Sequence, residues 1–169
     1  KLTAEAAQAA GARLQAAEKL ADLADAGLVV EAIVESLPAK QGLYAELETI
    51  VAADCIFGTN TSSISVTAIS AALKHPERLA GLHFFNPAPL MALVEVVSGL
   101  ATDRAVADTL FATATAWGKV PVHAKSTPGF IVNRVARPYY AEGLRLLGEG
   151  AADCATLDAV MREAGGFRM

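Results

Sequence analysis

The residue best placed to move a proton is His83, in Gly81-Leu-His-Phe-Phe-Asn-Pro87, where an apolar run gives way to a polar, proline-closed stretch. An imidazole can take a proton at neutral pH, and ligands of open α/β sheets bind outside the carboxyl ends of strands. A lone histidine is more often structural. Twelve residues on (95 − 83), however, Glu95 interrupts the apolar run Leu93-Val-Glu-Val-Val97. Burying a carboxylate without a partner costs roughly several kcal/mol. A histidine that donates one ring N–H to it would meet that need and would have its tautomer fixed in return. The alternative is a Glu95 that faces solvent from an edge strand, and the local sequence leaves both open.

Other polar groups fall at similar places. Ser62 and Ser63 follow a strand end in Asn60-Thr-Ser-Ser63, where hydroxyls can cap the next helix or hydrogen-bond a substrate. Asn133, in Pro128-Gly-Phe-Ile-Val-Asn-Arg134, is an amide among apolar neighbours that either satisfies a backbone group or points into a cleft. Glu35 and Lys40 flank the Ser36-Leu37-Pro38 turn, where a cofactor ribose or amide could lie; a solvated pair at a helix start is the alternative, and both stay open. No Ser-His-Asp order, Walker sequence, metal-ligand cluster or Gly-x-Gly-x-x-Gly loop stands out.

The elements that must carry these groups alternate. Helix-forming residues fill 3–24, and apolar positions there recur at helical spacing. Gly27 to Val34 is β-branched and nearly continuous in apolar character, as suits a strand buried on both faces of a parallel sheet. Pro38 opens a helix to about Ala53, a second strand covers Cys55 to Thr59, and a helix follows at about 66–73. Strands are expected at Leu79–Phe84 and Ala92–Val97, with the bend Asn86-Pro-Ala-Pro89 between them. Asp103 is a plausible N-cap for a helix to Trp117, and Lys119–His123 is a last strand. The pattern is an α/β layered sheet. From Phe130 the character is helical to about Leu147, with Pro138 expected to kink the helix, and again from Asp153. A domain boundary is expected near 124–129.

Composition narrows the function. Hydrophobic residues make up 53% of the 169, enough for a core, and 14 Lys and Arg against 18 Asp and Glu leave a charge of -4. That balance argues against non-specific nucleic-acid binding, which needs a basic face. No run approaches the roughly 20 apolar residues of a membrane span. The distant Cys55 and Cys154 read as free thiols of a reducing cytoplasm. A start at Lys1 and an ending in Gly-Phe-Arg-Met suggest an internal piece of a longer product.

Taken together, Val30-Glu-Ala-Ile-Val-Glu35, Asn60-Thr-Ser-Ser63, Gly81-Leu-His-Phe-Phe-Asn-Pro87, Leu93-Val-Glu-Val-Val97 and Thr127-Pro-Gly-Phe-Ile-Val-Asn-Arg134 resemble the 3-hydroxyacyl-CoA dehydrogenase family. Five such pieces in order are a specific signal. The resemblance implies an NAD-dependent oxidation of L-3-hydroxyacyl-CoA to 3-ketoacyl-CoA, in fatty acid or aromatic acid degradation. It implies His83 as general base, Glu95 holding it, and Ser62 and Asn133 at the reacting end of the acyl group. It also implies NAD contacts at Glu35, Lys40, Ser62 and Asn86. Residues 1–125 would be part of a Rossmann-like NAD-binding domain without its N-terminal Gly-x-Gly-x-x-Gly unit. Residues 126–169 would begin a helical substrate and dimerisation domain, and the full-length protein would be a homodimer. The chain by itself is expected not to turn over. A relative with a lysine base fits less well, because no lysine is suitably framed. A non-catalytic, crystallin-like or assembly relative of the family is the remaining alternative, and the His–Glu–Ser–Asn set speaks against it.

Overall fold

The computed structural model describes residues 2–168 and falls into two compact units, one up to Ser126 and one from Thr127. Lys1 and Met169, the two ends read above as cut, lie outside the described residues.

The first unit is built on a five-stranded sheet in sequence order: β1 (Leu28–Glu31), β2 (Ile56–Thr59), β3 (Leu79–Phe84), β4 (Leu93–Ser98) and β5 (Val120–Lys125). β1, β2 and β3 are parallel, β4 runs antiparallel to β3, and β5 is parallel to β4. The reversal follows from chain length. Residues 85–92 suffice to turn the chain back but not for a parallel crossover, which needs a dozen or more residues.

Side chains alternate across the sheet. On one face Ala80, Leu82, Val94 and Val96 pack against Ala107, Leu110 and Ala114 of helix α4 (Arg104–Ala116). Full burial of the larger side chains, Leu82, Val94, Val96 and Leu110, contributes about 1.5–3 kcal/mol each. α4 starts where Asp103 caps it, its carboxylate accepting from the Ala105 N–H at 2.9 Å. On the other face the register aligns Glu31, Thr59, Gly81 and Val97 in one row across four strands. Helices α2 (Leu37–Leu47) and α3 (Val66–Ser70) lie on this side: Tyr44 stacks obliquely on Phe57 and bonds the Gly58 carbonyl, and Val66 packs against Gly81. His83 and Glu95 stand two residues beyond Gly81 and Val97, so the same alternation places them on this face.

The helix expected over 3–24 does not form as one element. α1 covers Ala4–Gly11, and only a short 3-10 turn, Leu20–Leu23, follows. Neither contains a buried residue, and helix propensity without an apolar face to bury rarely sustains a long helix. The helix after Pro38 is shorter than expected too, ending at Leu47 before a turn.

The second unit contains α5 (Val132–Gly148), which continues through Pro138, and α6 (Cys154–Ala159), capped by Asp153 and extended by a π turn over Val160–Ala164. Gly150, at φ +69°, occupies the left-handed conformation that lets the chain leave α5. Among the described residues, no helix is long and apolar enough to cross a membrane.

Candidate active site

β3 and β4 pair so that His83 lies directly opposite Glu95. His83 Nδ1 stands 2.8 Å from Glu95 Oε2, and the two residues are 4% and 0% exposed. Of the two readings left open for Glu95, the buried partner is therefore the observed one. β4 is an interior strand, between β3 and β5, and offers no solvent-facing side at this position. The ring of Phe85 lies 4.6 Å from that of His83, tilted to it by 53°. The bend itself is tied down by Lys119, whose ammonium donates to the Ala88 carbonyl and, at 2.9 Å, to that of Met91. Asn86 sits on this bend and is exposed.

A second cluster gathers at the carboxyl ends of β1 and β2. Glu35 Oε1 accepts from Thr61 Oγ1 at 2.6 Å, from the Ser62 and Ser63 N–H groups at 3.1 and 3.2 Å, and from Ser63 Oγ at 3.1 Å. Its Oε2 lies 3.2 Å from Lys40 Nζ. Burial works to raise the Glu35 pKa. The hydrogen bonds from Thr61, then Lys40, Ser62 and Ser63, outweigh it and hold the carboxyl down at about 2. Glu35 and Lys40 are thus paired but not as a solvated pair, since the Lys40 side chain is only 1% exposed. Nor do Ser62 and Ser63 cap the next helix. That cap is Ser65, whose hydroxyl accepts from the Ala68 N–H. Asn60, in the same turn, accepts from the Phe84 N–H at 2.8 Å and so links this turn to the strand that carries His83.

One charged residue of the cluster was not singled out from the sequence, and neither were Thr59 and Thr61. Glu31 ends β1 and is fully buried, with Lys40 Nζ at 2.6 Å, Thr59 Oγ1 at 2.7 Å and the Ile33 N–H at 2.6 Å. The available signal was an acid closing a β-branched strand with a lysine nine residues on (40 − 31), in the first turns of the next helix. Burial, and next the charge on Glu31, push the Tyr44 hydroxyl pKa upward.

The first unit therefore brings His83, Glu95, Asn86, Ser62, Glu35 and Lys40 to the end of the sheet where β1, β2 and β3 finish. Asn133 belongs to the second unit, half-buried at the start of α5. Among the described residues no group of three or more His, Cys, Asp and Glu side chains could hold a metal ion.

Comparison with known proteins decides the family. Residues 1–127 match the family described as 3-hydroxyacyl-CoA dehydrogenase, NAD binding domain, and residues 129–169 match its C-terminal domain. The chain belongs to the 3-hydroxyacyl-CoA dehydrogenase family. Among its relatives, the 3-hydroxyadipyl-CoA dehydrogenase of Escherichia coli K12 is 53% identical over 169 residues, 100% of this chain and 36% of that protein. The mitochondrial hydroxyacyl-coenzyme A dehydrogenase of Homo sapiens is 45% identical over 142 residues, 84% of this chain and 45% of that protein. Among solved structures, the 3-hydroxybutyryl-CoA dehydrogenase of Escherichia coli K12 superposes with a TM-score of 0.94 at 52% identity, covering 96% of this chain and 34% of its own. The (S)-3-hydroxybutyryl-CoA dehydrogenase of Ralstonia eutropha gives a TM-score of 0.95 at 36% identity, covering 98% and 59%. This member of the 3-hydroxyacyl-CoA dehydrogenase family thus spans between about a third and three fifths of the relatives it matches.

Proposed function

We propose that the protein containing this chain oxidises an L-3-hydroxyacyl-CoA to the 3-ketoacyl-CoA with NAD, and that His83 is its general base. The observation that carries this is the buried 2.8 Å contact between His83 Nδ1 and Glu95 Oε2 at the sheet end. Donating Nδ1–H to the carboxylate fixes the tautomer and makes Nε2 the basic atom of the ring. As the substrate's 3-hydroxyl loses its proton to Nε2, positive charge develops on the imidazole. Glu95, held away from water, offsets that charge without reorganising.

NAD, when bound, supplies the acceptor for the hydride that leaves the carbinol carbon. What supports NAD here is the donor set. Glu35 retains a partly exposed carboxylate, suited to accept from ribose hydroxyls, and Ser62 and Asn86 are exposed polar groups at the same strand ends. We assign Glu35, Lys40, Ser62 and Asn86 to the cofactor, Lys40 by holding Glu35. Ser62 and Asn133 are assigned to the acyl end of the substrate.

Residues 1–125 are taken as part of the NAD-binding domain and 126–169 as the start of a helical substrate and dimerisation domain, in a cytoplasmic homodimer. Fatty acid or aromatic acid degradation is the setting. 3-Hydroxyadipyl-CoA, the compound in the name of the Escherichia coli relative, is the first substrate to try.

The test is His83→Ala in the whole protein. Turnover is expected to fall about 10²–10⁴-fold, the usual contribution of a positioned base, while NAD affinity stays within about two-fold. Equal turnover in the variant would discard the base assignment.

A further inference from the structure

Glu31 touches none of the groups assigned to the reaction except Lys40, yet its side chain has 0% exposure and each of its carboxylate oxygens accepts at least one short hydrogen bond. An acid so placed either serves the stability of the strand end alone or serves what its partners hold. The partners favour the second. Lys40 Nζ is shared between Glu31 Oε1 at 2.6 Å and Glu35 Oε2 at 3.2 Å. Thr59, the other side-chain partner, is the last residue of β2 and leads directly into the turn whose Thr61, Ser62 and Ser63 all bond Glu35. Glu31 is therefore the anchor of two arms that meet again at Glu35, one through the ammonium and one through the backbone.

We propose that Glu31 is a positioning residue for cofactor binding, fixing Lys40 and Thr59 so that Glu35 and the turn Asn60–Ser63 present a rigid polar edge to the nicotinamide nucleotide. This rests on the assignment of Glu35, Lys40 and Ser62 to NAD made above. With the Glu31 charge removed, one ammonium faces one carboxylate. Lys40 then closes on Glu35, and the exposed part of that carboxylate is lost to the ligand. Of the groups it fixes, Ser62 alone is also assigned to the acyl end, and Glu31 reaches it only through the backbone of the turn, so the larger effect falls on the cofactor.

The experiment compares Glu31→Gln, Lys40→Met and the double variant in the whole protein, reading kcat and the KM for NAD and for 3-hydroxybutyryl-CoA separately, with the melting temperature alongside. Glu31→Gln is expected to raise the NAD KM about ten-fold and the acyl-CoA KM by less, about three-fold at most. The double variant should bind NAD better than the product of the two single effects predicts, because one of the two arms of Glu31 runs through Lys40. A lowered melting temperature with an unchanged NAD KM would make Glu31 purely structural and overturn the proposal, as would independent, additive effects in the double variant. If Lys40→Met also leaves the NAD KM unchanged, the cofactor assignment falls and takes this proposal with it. If Lys40→Met raises it and Glu31→Gln does not, only the proposal falls. Should Glu31→Gln fail to fold, Thr59→Val decides in its place: a rise of about three-fold in NAD KM supports the proposal and no rise overturns it.

Discussion

Replacing Glu95 by glutamine tests the core of the mechanism with the smallest change in shape. The carboxylate is 0% exposed and its Oε2 lies 2.8 Å from His83 Nδ1, so the substitution keeps the volume and removes the charge. A hydrogen bond to a charged group contributes about 1.5–3 kcal/mol, which is about 10–150-fold in rate if it strengthens as the ring becomes cationic. An amide can also turn its NH₂ toward Nδ1 and hold the wrong tautomer, and the equivalent acid-to-amide change in a serine protease triad lowers kcat about 10⁴-fold. Between these bounds, kcat of the whole protein is expected to fall about 10²–10⁴-fold, with the NAD KM within about two-fold of the parent. The assay is steady-state NADH formation, followed by its near-ultraviolet absorbance. The melting temperature is read alongside, because altering one partner of a buried charged pair can cost up to about 3–5 kcal/mol of stability. Combining Glu95→Gln with His83→Ala should cost no more than His83→Ala alone. A kcat within about three-fold of the parent, under about 0.7 kcal/mol of barrier, would refute the claim that the carboxylate sustains the base.

Acid titration separates the role of Glu35. Its carboxyl is held down to about 2 from the ordinary 4.5, so its contribution to stability is complete above about pH 4.5 and is lost as pH falls through about 2. Urea unfolding at a series of pH values should therefore show a gap between the parent and Glu35→Gln that is constant near neutrality and closes in acid; a gap that does not depend on pH would contradict this. Screening keeps the gap modest, because the side chain is 38% exposed. Gly81→Ala should be destabilising, since its Cβ would stand 2.7 Å from Val97 Cβ and 3.2 Å from Val66 Cγ2 in a buried row. A loss of about 1–3 kcal/mol is expected in urea unfolding, and an unchanged midpoint would mean that β3 and β4 are less tightly apposed than described.

The His83–Glu95 pair is legible in the sequence alone. His83 and Glu95 stood out because an ionisable group inside an apolar strand demands a partner, and an imidazole ended the strand before. What the sequence could not decide was whether β4 lay inside the sheet or at its edge, which depends on β5 pairing beyond it. The cluster around Glu35 was legible in outline only. Lys40 read equally well as a solvated cation, because its burial depends on Glu31, and Glu31 looked like an interruption in an apolar run rather than a group with three hydrogen-bond donors waiting. Helix propensity misled at residues 3–24, where alanine-rich composition promotes a helix that no packing surface extends past Gly11. The antiparallel return of β4 is implicit in the shortness of 85–92, which leaves no room for a parallel crossover.

The rung that joins His83 to Glu95 belongs to a hairpin, and hairpins transmit length changes selectively. Residues added to or trimmed from the bend at 85–92 leave every rung below it intact, so the distance in chain between base and carboxylate is free to drift. One residue inserted within β3 or β4 instead turns the remainder of that strand over and sends one member of the pair to the α4 side. The proton-transfer geometry is thereby as tolerant as a loop in one direction and as intolerant as a frameshift in the other.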